Sequence, residues 1–162
     1  MNIDALTHIH PDPASFGAQY DLSPEYLIKN IHESPVDKAI VTAIEGENQY
    51  CTPTSFVIAT CERYPEELIG FASVNPITNP NAVADLENYV TQYGMRGLKL
   101  HPRHQHLAAD DARIFPVVEK AAELGIPVAI CGSQWKHAPL RDQLPQNIDV
   151  LAKQVPDVNI II

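Results

Sequence analysis

Short apolar runs and amphipathic segments alternate along this chain at a steady pace, and proline or glycine punctuates each change of period. That regularity restricts the fold more than any other feature. The apolar runs are Ile3 to His10, Lys38 to Ile44, Leu68 to Asn75, Gly97 to His101, Pro127 to Ser133 and Val158 to Ile162, each short and bounded by turn residues. Between them, Ser23-Pro24, Thr52-Pro53 and Asn79-Pro80 each set a capping side chain before a proline at the first helical position, where no N–H is needed. Gly94 and Gly125 follow helical segments as C-terminal caps, and each leads within about two or three residues into the next strand. Repetition of this kind means a parallel sheet covered by helices, an α/β fold.

Composition narrows what such a sheet serves. At 162 residues and 45% hydrophobic, the chain has enough apolar surface for one core, so a single domain over residues 1–162 is expected. It has no apolar run of about 18 residues to span a membrane and no basic segment leading into an apolar stretch, as a secretory signal would have. Cys51, Cys61 and Cys131 are an odd number without framework spacing, which fits reduced thiols and a cytoplasmic location. A net charge of −9 argues against nucleic acid, because neutralising phosphates takes clustered Lys and Arg. The expected partner is a small molecule.

Two parallel architectures compete, a doubly wound open sheet and a (β/α)8 barrel. No glycine-rich turn follows the first strand, as a dinucleotide-binding sheet would need. Polar groups gather instead at strand C-termini: His8 and His10 on the first, Asn75 on the third, Lys99 and His101 on the fourth, Cys131 and Ser133 on the fifth. A barrel with its site at the C-terminal face has that distribution. Strand alternation sets Leu98 and Leu100 toward the helices and Lys99 and His101 inward, and likewise Val128 and Ile130 outward with Cys131 inward. On the first strand the same rule puts Asp4, Leu6, His8 and His10 on one face.

Four segments carry a family resemblance: Ile3-Asp4-Ala5-Leu6-Thr7-His8; Gly70-Phe71-Ala72-Ser73-Val74-Asn75-Pro76; Gly94-Met95-Arg96-Gly97-Leu98-Lys99-Leu100-His101-Pro102 with Gln105; and Gly125-Ile126-Pro127-Val128-Ala129-Ile130. The chain resembles amidohydrolase-related proteins of the aminocarboxymuconate-semialdehyde decarboxylase type. The resemblance implies a distorted (β/α)8 TIM-type barrel whose divalent metal, usually zinc, activates water or polarises a substrate for C–N, C–O or C–C cleavage. About six of the eight βα units are present, since such a domain takes about 250 residues, so a partial barrel is expected. The chain is then a shortened stretch of a longer one, self-associates as a homo-oligomer, or is completed by a complementing chain.

Departures from the family pattern concern the metal. The family typically opens Asp-x-His-x-His, which counted from Asp4 puts its histidines at Leu6 and His8; a leucine cannot bind a metal. Cys131 stands where the family usually has a histidine ligand, and a thiolate can replace an imidazole on zinc. The family's aspartate after the eighth strand has no counterpart. The candidate metal ligands are therefore His8, Cys131 and, if the ion moves toward the mouth, His10. Lys99 and His101 are the candidate catalytic pair, contacting an anionic substrate group, most simply a carboxylate. Asn75, Ser133 and the loop residue Trp135 are candidate substrate contacts.

Each residue also has a structural reading. His8 is then a lumen histidine hydrogen-bonded to its neighbours. Lys99 is then an ammonium paired with Asp4 or Glu45, while His104 and His106 are solvated loop residues. Nucleophilic use of Cys131 would require a neighbour that lowers its pKa. Two functions follow: a hydrolase or decarboxylase acting on a small carboxylated or cyclic substrate, or a barrel that has lost its metal and serves in binding or assembly.

Overall fold

Six parallel strands follow one another in chain order across one sheet. They are β1 (Ile3–Thr7), β2 (Lys38–Thr42), β3 (Leu68–Ala72), β4 (Gly97–Leu100), β5 (Val128–Ile130) and β6 (Ile160–Ile161). The helices between them are α1 (Pro24–His32), α2 (Thr54–Arg63), α3 (Ala82–Thr91), the single turn α4 (Pro102–Gln105), α5 (Phe115–Glu123) and α6 (Pro145–Gln154), with a 3-10 turn at Leu140–Gln143. The computed structural model describes residues 1–17, 19–46, 48–132 and 139–162. Strand order decides between the two architectures. A doubly wound sheet reverses its order at a switch point, whereas the order β1-β2-β3-β4-β5-β6 with a helix after each strand is that of a partial (β/α)8 barrel.

Register fixes which side chains look inward. Ala39, Val41, Leu68, Ala72, Leu98, Leu100, Val128 and Ile130 belong to the buried cluster that also takes in Ile31, Val57, Leu86, Val117, Val118 and Leu151 from the helices. That is the layer between sheet and helices. The alternate positions form the lumen side: Thr42 is level with Phe71, Phe71 with Gly97, and Lys99 with Ala129. The lumen is tight near its base, because a Cβ on Gly97 would come within 2.5 Å of the Phe71 ring. Glycine is required there so that the two strands can share the space.

Local signals hold unevenly. Ser23 caps α1 as expected, its Oγ accepting from the Tyr26 N–H at 3.3 Å with Pro24 in the first turn. Gly125 closes α5 at φ +66°, with the Gly125 N–H donating to the Ala122 carbonyl and the Ile126 N–H to the Ala121 carbonyl, the paired bonds of a Schellman stop. Thr52 does not cap α2: its backbone pairs with Ile44 and its hydroxyl donates to the Ile9 carbonyl at 2.9 Å. Asn79 lies in the turn before α3, whose N-cap is Asn81, and its amide donates to Asp85 at 2.7 Å. No helix among the described residues is long and apolar enough to cross a membrane.

Candidate functional site

The C-terminal end of β4 holds a buried cation. Lys99 is only 3% exposed, flanked on the helix side by the fully buried Leu98 and Leu100. Its side chain makes no hydrogen bond or ion pair among the described residues. Neither acid that could have paired with it does so. Asp4 is exposed and its carboxylate accepts from the Leu6 N–H at 3.3 Å, while Glu45 accepts from the Thr54 N–H at 3.3 Å. Burial lowers the Lys99 pKa; the neighbouring Cys131 acts against that, and the Arg103 guanidinium adds to it. A buried ammonium without an acid among the described residues is costly, which makes Lys99 a candidate for a functional role.

Three imidazoles belong to the same cluster. His101 follows β4 on the same face and is 3% exposed; its N–H donates to Gln105 Oε1 at 2.8 Å, and Gln105 Nε2 donates to the Val74 carbonyl at 2.7 Å. Gln105 thus ties the end of β4 to the end of β3. The His101 ring stacks on His104 with centroids 4.5 Å apart and planes tilted 54°, and its Nδ1 is buried with no partner among the described residues. His104 Nδ1 accepts from Asn48 Nδ2 at 2.6 Å. His8 Nδ1 sits 3.3 Å from Thr42 Oγ1, which brings the end of β1 into the same rim. Burial first, then the charges of Lys99 and Arg103, lowers His8 to about 4. Burial and Lys99, with His104, Arg103 and His8 behind them, lower His101 to about 2. Burial and Arg103 lower His104 to about 4. All three rings are therefore neutral at pH 7, and the cations that act on His8 and His101 are Lys99 and Arg103.

The remaining expectations fare differently. The single polar face on the first strand does not exist, because β1 carries an irregularity between Asp4 and Thr7. Asp4 is level with Ala39 on the helix side, and after one extra residue Thr7 is level with Val41, so the strand re-enters register with His8 beside Thr42. Leu6 is 49% exposed. His10 is drawn away: its Nδ1 accepts from the Asp12 N–H at 3.0 Å and its Nε2–H donates to the Cys51 carbonyl at 3.0 Å. Both nitrogens are occupied, so His10 has no lone pair for a metal in this arrangement. It lines instead a cavity of about 370 Å³ between α1 and α2, with Ser23, Phe56 and Tyr64, to which neither Lys99 nor His101 contributes.

Asn75 is buried at the end of β3, where its side-chain oxygen closes a turn by accepting from the Ile77 N–H at 3.0 Å. Cys131 is half-buried, its N–H donating to the Leu100 carbonyl beside Lys99. Ser133 and Trp135 lie outside the described residues. His104, expected to be solvated, is 5% exposed because α4 turns back after Pro102 and returns it to His101. His106 is exposed, at φ +54°. Sequence reasoning missed His104 and Arg103 as parts of the rim; the three-residue spacing from His101 across a proline-started helical turn was the available signal.

This donor set does not fit the divalent metal that the resemblance implies. A catalytic zinc needs about three protein ligands. Among the described residues no group of three or more His, Cys, Asp and Glu side chains is arranged to hold a metal ion. Leu6 offers no donor, the His10 lone pair is engaged, and the Lys99 ammonium acts on both His8 and His101.

Comparison with known proteins gives a consistent picture. A family model described as amidohydrolase matches residues 3–162. No curated protein sequence matches the chain. Among solved structures it is similar to 5-carboxyvanillate decarboxylase from Novosphingobium aromaticivorans, solved with manganese and a methoxy-hydroxy-nitrobenzoic acid, at 13% identity and TM-score 0.74 over 99% of this chain and 64% of that one. It is similar to a TIM-barrel protein of Bordetella bronchiseptica at 16% identity and TM-score 0.74, covering 98% of this chain and 65% of that one. It also resembles 2,6-dihydroxybenzoate decarboxylase from Rhizobium at 13% identity and TM-score 0.71, over 98% and 64%. The chain thus spans a little under two thirds of the length of these structures, and at such identity they establish its fold.

Proposed function

The chain belongs to the amidohydrolase family, and on that premise we propose that it takes a small carboxylated substrate at the strand-end rim and acts on it as a hydrolase or decarboxylase. The observation that carries this reading is Lys99, buried, cationic and without an acid of its own among the described residues. A carboxylate entering the rim supplies the missing counter-charge, and a charge-assisted hydrogen bond formed away from water is stronger than a neutral one. His101 Nδ1, without a partner among the described residues, lies in the same cluster and, as the protonated tautomer, donates to the second carboxylate oxygen. In a decarboxylation the bond from carbon to the carboxylate breaks, CO2 leaves, and the electron pair left on carbon takes a proton. Lys99 is the group suited to give that proton and to regain one from water, since its lowered pKa makes it a readier donor than an exposed lysine. That the neighbouring fold also serves two decarboxylases of aromatic acids supports the same substrate class.

The test is turnover of a panel of small aromatic and aliphatic carboxylic acids, followed by CO2 release and product chromatography, for the wild type and Lys99→Met. Turnover of a carboxylated compound that Lys99→Met abolishes is expected. Turnover or binding indifferent to Lys99→Met would refute the role. A second reading, a carboxylate-binding protein without catalysis, is favoured by Leu6 and the unfitted metal set. Saturable binding with no product identifies it.

A further inference from the structure

The mismatch between the rim and a metal points to how the substrate group is held; this inference rests on the carboxylate reading above and deepens it. We propose that the ammonium of Lys99 takes the electrostatic place of a divalent cation at this rim, so that a substrate carboxylate is bound directly by the protein and needs no metal bridge.

Three observations carry it independently of one another. The first is donor chemistry: Leu6 is a hydrocarbon, both His10 nitrogens are engaged with backbone, and the described residues contain no three-ligand group. The second is charge. Lys99 acts on both His8 and His101, so a divalent cation entering here would meet a fixed ammonium that no carboxylate among the described residues offsets. Like charges at short range in a water-poor site repel strongly, whereas an anion is drawn in by the same field. The third is the pair of uncommitted polar groups. Lys99 and His101 are each 3% exposed, Lys99 has no acid, and His101 Nδ1 has no partner among the described residues. Buried polar groups are normally satisfied. Two that are not, adjacent on one face of one strand end, are a matched pair of donors for the two oxygens of a carboxylate.

The experiment is calorimetric titration of benzoate into the full chain, once after dialysis against EDTA and once with excess Mn2+, alongside a titration of Mn2+ alone. Benzoate affinity equal within about twofold in both conditions, with no stoichiometric heat from Mn2+, is expected. Lys99→Met and Lys99→Gln, each checked for native circular dichroism, should each weaken benzoate at least about tenfold, the size of one charge-assisted bond. Benzoate binding that appears only with Mn2+ overturns the inference while leaving the carboxylate reading intact. Stoichiometric Mn2+ binding lost in His8→Ala also overturns it. Binding of benzoate in neither condition overturns both.

Discussion

Mild acid should unfold this protein, because the rim keeps three imidazoles neutral. His8, His101 and His104 have folded-state pKa values of about 4, about 2 and about 4, against about 6.5 in the unfolded chain. Between those limits the unfolded state binds more protons than the folded one, so stability is fully present above the unfolded value and is lost as pH falls. Between pH 7 and pH 5 each ring contributes a loss of about 2 kcal/mol, about 6 kcal/mol for the three together. That is comparable with the whole stability of a typical domain, about 5–15 kcal/mol. Glu45 works weakly in the opposite sense, since burial raises its pKa. Urea denaturation followed by circular dichroism at pH 7, 6 and 5 reads the effect directly. With a slope of about 2 kcal/mol per molar urea, the midpoint should fall by about 2–3 M. In His101→Gln the pH-dependent part should shrink by about 2 kcal/mol. A midpoint unchanged between pH 7 and pH 5 would mean that these rings are free to protonate in the folded protein, and the description of the rim as water-poor and cationic would be wrong.

Other perturbations test separate parts of the structure. Replacing Lys99 by Met should raise stability at pH 7 by about 1–3 kcal/mol, because an uncompensated buried charge disappears. The wild type should gain stability as pH rises through the lowered Lys99 pKa toward about 10.4, the unfolded value, and Lys99→Met should lack that alkaline rise; chemical denaturation from pH 7 to 10 measures it. Gln105→Leu leaves the His101 N–H and the Val74 carbonyl unpaired, at a cost of about 2–4 kcal/mol by thermal or urea unfolding. Gly97→Ala drives a methyl into the Phe71 ring and should cost about 1–3 kcal/mol. Gly125→Ala, in open space at φ +66°, should cost only about 1 kcal/mol through backbone strain.

What the sequence made legible was whatever depends on period. All six strands appear where alternation and turn residues set them, each shorter than its apolar run. The inward set of Lys99 and the outward set of Leu98 and Leu100 follow from the pleat alone. What it hid depends on events without a period. One irregularity in β1 turns Asp4 to the helix side, and no residue in Asp4-Ala5-Leu6-Thr7 announces it. The capture of His10 by Cys51 and Asp12 joins segments about 40 residues apart and is decided by loop packing. His104 was legible in principle, three residues beyond His101 in a turn begun by Pro102, but only the fold of α4 over the rim makes it a buried neighbour. That no acid among the described residues pairs with Lys99 is likewise a tertiary fact, since Asp4 and Glu45 are near in pattern and engaged elsewhere in space.

The most direct test is a crystal structure of the chain grown with a brominated benzoate, whose anomalous signal locates the ring without ambiguity. Its carboxylate should sit about 3 Å from Lys99 Nζ, with one oxygen toward His101 Nδ1, the ring directed out of the barrel mouth and no metal between them. A benzoate seated in the cavity between α1 and α2, or at the rim with its carboxylate turned away from Lys99, would contradict the account.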